Sequence, residues 1–152
     1  MSILPFTKTE VVEACLKYQS AQVETIKKQL SQILESANDE SDGEDEGGES
    51  FKEQLQVERE MYNKKLREAT ETLELVKRVD GKKYSDQISS GSLVKTTEQT
   101  FFICTSIGEL KLNGSSCFVI STSSPIYSIL AGKKKGEKYK FRDKEVEILE
   151  VK

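Results

Sequence analysis

Two stretches of this 152-residue chain carry apolar side chains on alternating steps of three and four residues, the spacing of a pair of long helices. The first seam runs Val12, Leu16, Val23, Ile26, Leu30, Ile33, Ala37, with Gln19 as its one polar interruption. The second runs Leu55, Tyr62, Leu66, Ala69, Leu73, Val76, interrupted once by Arg59. Each is preceded by a capping-box pattern, Thr7-Lys8-Thr9-Glu10 and Ser50-Phe51-Lys52-Glu53, in which a hydroxyl and a carboxylate satisfy backbone amides reciprocally. With about 30 residues per segment, each arm is about 45 Å long. Two similar arms joined by a short segment predict an antiparallel hairpin in which each buries the other's stripe. Parallel pairing of one helix from each of two chains would leave the second seam of each chain unexplained.

The joining segment is the next constraint. No basic residue lies between Lys28 and Lys52, yet Glu35, Asp39, Glu40, Asp42, Glu44, Asp45, Glu46 and Glu49 all fall there. With Gly43, Gly47 and Gly48 it reads most simply as a solvated linker. Helix connections, however, usually need only about two to eight residues, and this one gathers its acids at one point, where they repel. A bound Mg²⁺ would relieve that repulsion, since hard divalent cations take carboxylate oxygens and need only one or two from the protein. The pattern is not an EF-hand: Asp39, Ser41 and Gly43 break the ligand order.

Beyond Asp80-Gly81, expected to close the second helix with a left-handed glycine, the pattern changes. Leu93–Thr97, Thr100–Thr105, Glu109–Leu112, Cys117–Thr122, Lys138–Phe141 and Glu145–Val151 are short β-prone runs, and Asn113-Gly114 is a hairpin turn signal. Ser124-Pro125 reads as N-cap and first residue of a short helix, Ile126 to Ala131, closed by Gly132. The expected fold class is α+β: a coiled-coil hairpin over 1–80 with an acidic tip at 38–50, then a small antiparallel sheet domain with one short helix over 81–152. The two parts differ in charge. Residues 81–152 hold 12 Lys/Arg against 8 Asp/Glu, and the rest 11 against 18, neither basic enough to indicate nucleic-acid binding by itself.

Composition excludes several chemistries. There is no histidine, and Cys15, Cys104 and Cys117 lack metal-ligand spacing, which removes the usual zinc sets, Cys–His nucleophiles and serine triads. No apolar run approaches the roughly 20 residues needed to span a bilayer, and Met1 to Phe6 do not form a signal peptide, so a cytoplasmic protein with reduced thiols is expected. The Lys133-Lys134-Lys135-Gly136-Glu137-Lys138 loop lacks phosphate-loop spacing and reads as a solvated turn, and Tyr127 reads as packing.

The run Phe118-Val119-Ile120-Ser121-Thr122-Ser123-Ser124-Pro125-Ile126-Tyr127-Ser128-Ile129-Leu130-Ala131-Gly132-Lys133 resembles the strand, Ser-Pro, short helix and Gly-Lys sequence of the bacterial Gre family of transcript-cleavage elongation factors. Gly136-Glu137 is similar to that family's following turn, and Glu145–Val151 to its closing strand. The resemblance is strong over about 118–152 and looser in the hairpin. It implies an FK506-binding-protein-like fold for the second domain and RNA polymerase as partner, docked through Ser124, Pro125 and Ile126. The hairpin would reach down the secondary channel, with contact to nascent RNA and DNA only inside the elongation complex. It also implies an accessory factor, not an enzyme in itself, without a stably bound cofactor; the two seams, each satisfied within one chain, predict a monomer or weak dimer. The Mg²⁺ would be shared with the polymerase, whose own nuclease the factor stimulates.

The family's tip motif, of Gly-Asp-Leu-Ser-Glu-Asn type, is not preserved. Glu46 and Glu49 are the best-placed pair at its spacing, both for catalysis and as transient Mg²⁺ ligands; Asp42 and Asp45 come next, with Glu44 a further candidate. A Gre-like channel regulator that inhibits without cleavage is the nearer alternative. A prolyl isomerase of the FK506-binding fold is the distant one, set back by a module with only Tyr84, Phe101, Phe102, Phe118, Tyr127, Tyr139 and Phe141 to build both core and pocket.

Overall fold

The computed structural model describes residues 4–40 and 48–152, with side chains throughout except at 37–40 and 48–50. In chain order the elements are α1 (Lys8–Glu40), α2 (Gly48–Lys77), β1 (Leu93–Thr96), β2 (Thr100–Ile103), β3 (Gly108–Leu112), β4 (Ser115–Ile120), α3 (Pro125–Leu130), β5 (Lys138–Phe141) and β6 (Lys144–Val151). This is the expected α+β order, two long helices and then a sheet with one short helix. By contacts the chain forms two compact units, Tyr18–Leu73 and Met1–Lys17 with Glu74–Lys152. That division differs from one drawn at residue 80, because the first turns of α1 and the last of α2 join the sheet's core.

Unit Tyr18–Leu73 is a two-helix antiparallel pair. Val23 is buried, and Ile26, Leu30, Ile33, Leu55, Tyr62, Leu66, Ala69 and Leu73 are half-buried, while most positions between them are exposed. Gln19, 7% exposed, donates from Nε2 to the Ala69 carbonyl at 3.0 Å, which fixes the pairing of the two seams. Arg59, the other polar interruption, is exposed. The helices extend further than expected, to Glu40 and from Gly48, so the segment between them is shorter than 38–50. Ser50 accordingly lies within the first turn of α2, and its capping-box pattern does not mark the helix start.

At the start of α1 the capping box forms as read. Thr7 N–H donates to Glu10 Oε1 at 2.9 Å, and Glu10 N–H to Thr7 Oγ1 at 3.1 Å. The Thr7 amide and the Asn113 side chain hold the Glu10 carboxyl below its ordinary pKa, since both bonds favour the charged form.

The sheet order is β3-β4-β2-β1-β6-β5. The sequence predicts an antiparallel sheet, and four of the five neighbouring pairs are antiparallel; β2 and β4 instead pair in parallel, Phe101 beside Phe118 and Ile103 beside Ile120. The β3–β4 hairpin causes this, because it returns the chain so that β4, not β3, lies against β2. The Asn113-Gly114 turn has φ of 51° and 80°, the left-handed pair a two-residue hairpin of matching twist requires. A second such turn, Arg142-Asp143 between β5 and β6, has φ of 54° and 63° without any glycine to signal it.

Both faces of the sheet are covered, which is why its strands read as apolar runs. On one face Leu93, Phe102, Cys117 and Val119 pack with Phe6, Val11, Val12, Cys15 and Val76 from the helix ends. On the other Val94, Phe101, Ile103, Val146 and Ile148 pack with Ile88, Tyr139 and Leu130 of α3. Gly81 is not left-handed, contrary to the sequence expectation. The chain instead closes α2 with bonds from Arg78 N–H to Leu75 O and Val79 N–H to Val76 O. Gly81 is required by close approach: a Cβ there would sit 3.1 Å from both Thr9 Cα and Thr9 Oγ1.

Candidate functional site

In the sequence the acidic residues 39–49 fall at the junction of α1 and α2. Asp42, Glu44, Asp45 and Glu46 lie outside the described residues, and Glu49 is in the first turn of α2 with its side chain likewise outside them. Among the described residues no group of three His, Cys, Asp or Glu side chains could hold a metal ion. No helix among them is long and apolar enough to cross a membrane.

The Ser124-Pro125-Ile126 segment sits at the start of α3. Ser124 has extended backbone (φ −67°, ψ 139°) and makes no side-chain capping bond; Pro125 occupies the first helical position, where its missing amide costs nothing. Tyr127 N–H donates to Ser124 O, and Ser128 Oγ to Pro125 O. Pro125 is exposed, whereas Ile126 is half-buried against the second core. Ser124 also borders a shallow depression of about 280 Å³ shared with Ser106, Ile107 and Gly108. The segment thus offers an uncommitted hydroxyl and an exposed ring, with the isoleucine partly engaged in the fold.

The Lys133–Lys138 loop is a structured turn. Lys134 N–H donates to the Glu137 carboxylate, Glu137 N–H to Lys134 O, and Gly136 N–H to Ile148 O, with Gly136 at φ 92°. The Lys133, Lys134, Gly136 and Glu137 amides are consumed by the fold, which suits the reading as a solvated turn. The three cysteines are free thiols in or against the first core. Burial pushes Cys15 and Cys117 up to about 12 and Cys104 up to about 11, so all three stay protonated at neutral pH. Phe101, Tyr139, Phe141, Ile126 and Val146 line a small cleft of about 210 Å³. That is below the roughly 300 Å³ at which small-molecule sites begin.

A larger cavity, of about 790 Å³, had no signal in the sequence. It opens between the first turn of α1 and residues 75–92, lined by Lys8, Arg78, Asp80, Lys83, Tyr84 and the Ser89-Ser90-Gly91-Ser92 turn. Lys8 is only 4% exposed; its ammonium donates to the Lys83 carbonyl and lies 5.7 Å from the Tyr84 ring centroid. Burial lowers the Lys8 pKa, with Asp80 opposing the shift and Lys83 adding to it.

No family model matches the chain, and neither does any curated protein. Solved structures similar to it include the transcription factor Gfh1, at 15% identity and a TM-score of 0.36 over 91% of this chain and 93% of that one. GreA factor homolog 1 (Gfh1) of Thermus thermophilus is similar at 16% identity and a TM-score of 0.35, covering 91% of this chain and 95% of that one. Thermus aquaticus Gfh1 is similar at 16% and 0.37, covering 91% and 94%.

Proposed function

We propose that this protein is a Gre-type accessory factor of RNA polymerase, acting as a monomer. The observation that carries the reading is the helix pair sealed by its own two seams, whose helices are joined in the sequence by a basic-free, acidic segment. From Tyr18 to Glu40 α1 extends for about 35 Å, a length suited to delivering charge through a narrow channel to a buried centre. The 81–152 module docks on the polymerase through Ser124 and Pro125, with Ile126 supporting them from the core side. Glu46 and Glu49 then hold a second Mg²⁺ beside the polymerase's own and orient a water for hydrolysis of backtracked RNA, in a two-metal arrangement. The octahedral shell Mg²⁺ demands is completed by polymerase carboxylates and RNA phosphate, so the free protein binds the ion only weakly.

The departure of the 39–49 segment from the Gre tip motif favours a second reading, in which the same acids block the channel without cleavage. One experiment separates them: RNA cleavage and nucleotide addition measured on a stalled, backtracked complex with the cognate polymerase. Stimulated cleavage that Glu46→Gln with Glu49→Gln abolishes, while binding persists, supports the first reading. Slowed nucleotide addition that depends on those two residues, with no cleavage at saturation, selects the second. No binding to the polymerase refutes both.

A further inference from the structure

We propose that the cavity lined by Lys8, Arg78, Lys83, Tyr84, Ser89 and Ser90 binds a small anion bearing two linked phosphates. The first argument is charge. Three cations line the cavity against one acid, Asp80, in a chain whose net charge is −3. Asp80 Oδ1 is already engaged, accepting from Lys82 N–H at 2.9 Å. Among the described residues neither Arg78 nor Lys83 takes part in an ion pair. A surplus of about two positive charges around one cavity is what a diphosphate neutralises and a single carboxylate does not.

The second argument is the state of Lys8. Burying an ammonium without a full counter-charge is costly. Lys8 has one carbonyl acceptor and the Tyr84 ring face, and burial lowers its pKa against the opposing pull of Asp80. An anion in the cavity would supply what the fold leaves out. The third is the donor set. Ser92 Oγ is spent on its own turn, accepting from Ser89 N–H at 3.0 Å and donating to Gln87 O. The Ser89 and Ser90 hydroxyls and the Ser90 amide make no hydrogen bond to the described residues, so three neutral donors remain among the residues that line the cavity. The volume lies within the roughly 300–1,000 Å³ of small-molecule sites, ample for a phosphoanhydride and what it is attached to. The Tyr84 ring, 61% exposed, gives the attached group an apolar surface. None of the residues that line this site belongs to the 39–49 segment, so the proposal does not depend on how that segment acts.

Free pyrophosphate and a nucleotide's phosphate tail share the chemistry, and calorimetric titration of the full chain separates them. Pyrophosphate, ADP, orthophosphate and adenosine are each titrated at near-physiological salt without divalent cations. The expected result is saturable one-to-one binding of pyrophosphate, about tenfold or more tighter than orthophosphate, with no binding of adenosine. ADP binding as tightly as pyrophosphate identifies a nucleotide-borne diphosphate; pyrophosphate alone identifies the free ion. Arg78→Gln with Lys83→Gln, both exposed and outside the cores, should weaken binding by about tenfold or more with the circular dichroism spectrum unchanged. Lys133→Gln with Lys134→Gln and Lys135→Gln should leave it unaltered. Absence of saturable binding, binding of ADP but not pyrophosphate, or equal loss in the Lys133–Lys135 variant would overturn the proposal.

Discussion

Replacing Gln19 with leucine tests whether the hairpin is held by its apolar seam or by its one buried polar contact. Gln19 is 7% exposed, and its Nε2 donates to the Ala69 carbonyl at 3.0 Å. That carbonyl lies inside α2, so it keeps its place in the helical ladder when the side chain is removed, and no buried backbone group is orphaned. The loss is therefore one intramolecular hydrogen bond, about 0.5–1.5 kcal/mol. Against it stands the burial of a leucine side chain in an a/d position, about 1.5–3 kcal/mol when complete. The gain wins: Gln19→Leu should be stabilising by about 0–2.5 kcal/mol in urea denaturation followed by circular dichroism. Gln19→Ala removes the bond and the packing of the stem together, and should cost about 1–3 kcal/mol.

The leucine variant should also lose specificity. A single polar residue in a seam fixes which partner and register are accepted, at some cost in stability. Light scattering should show Gln19→Leu associating with rising concentration while the parent chain stays monomeric. If Gln19→Leu were destabilising by more than about 1 kcal/mol, the hydrogen bond would outweigh the seam and the reasoning would be wrong.

Three further outcomes follow from the sheet unit. Gly81→Ala should be destabilising by about 1–3 kcal/mol in the same assay, because the new Cβ meets Thr9 Cα at 3.1 Å and must push α1 away; a change within error would mean the approach relaxes freely. Phe102→Ala, at a fully buried position between the sheet and the helix ends, should cost about 3–5 kcal/mol, whereas Phe51→Ala on the exposed side of α2 should cost little. The thiols should resist a disulfide reagent at pH 8 until the fold is opened. Their folded pKa values are raised, so the stability they contribute is present below the ordinary value of 9.0 and lost as pH climbs toward about 12. Cys117→Val should flatten that alkaline decline; an unchanged slope would assign it to other groups.

How much of this was legible depended on the reach of each signal. The seams, the Thr7–Glu10 capping box and the Asn113-Gly114 turn are local patterns, and each forms as read because its partners are within a few residues or repeat along one helix. Ser50 misled because a capping box is only permissive: nothing in Ser-Phe-Lys-Glu prevents Gly48 and Glu49 from being helical ahead of it. Gly81 misled in a more instructive way. A glycine after a helix suggests left-handed backbone, but here the missing side chain serves a contact with Thr9, 72 residues earlier in the chain.

The basic cavity lies at the far end of the same scale. Lys8 reads as an ordinary solvated lysine inside a helix cap, and Arg78 and Lys83 as scattered charges after a helix; Lys8 and Lys83 are 75 residues apart. Only when the first turn of α1 packs beside residues 78–92 does the lysine become buried and its charge unbalanced. A surface charge tells little because water solvates it at no cost to the fold. The same charge taken out of water asks for a counter-ion, and that demand is created by tertiary packing. Charge written along the chain, as in the 39–49 segment, can therefore be found by reading, whereas charge made consequential by burial is found only in the folded protein.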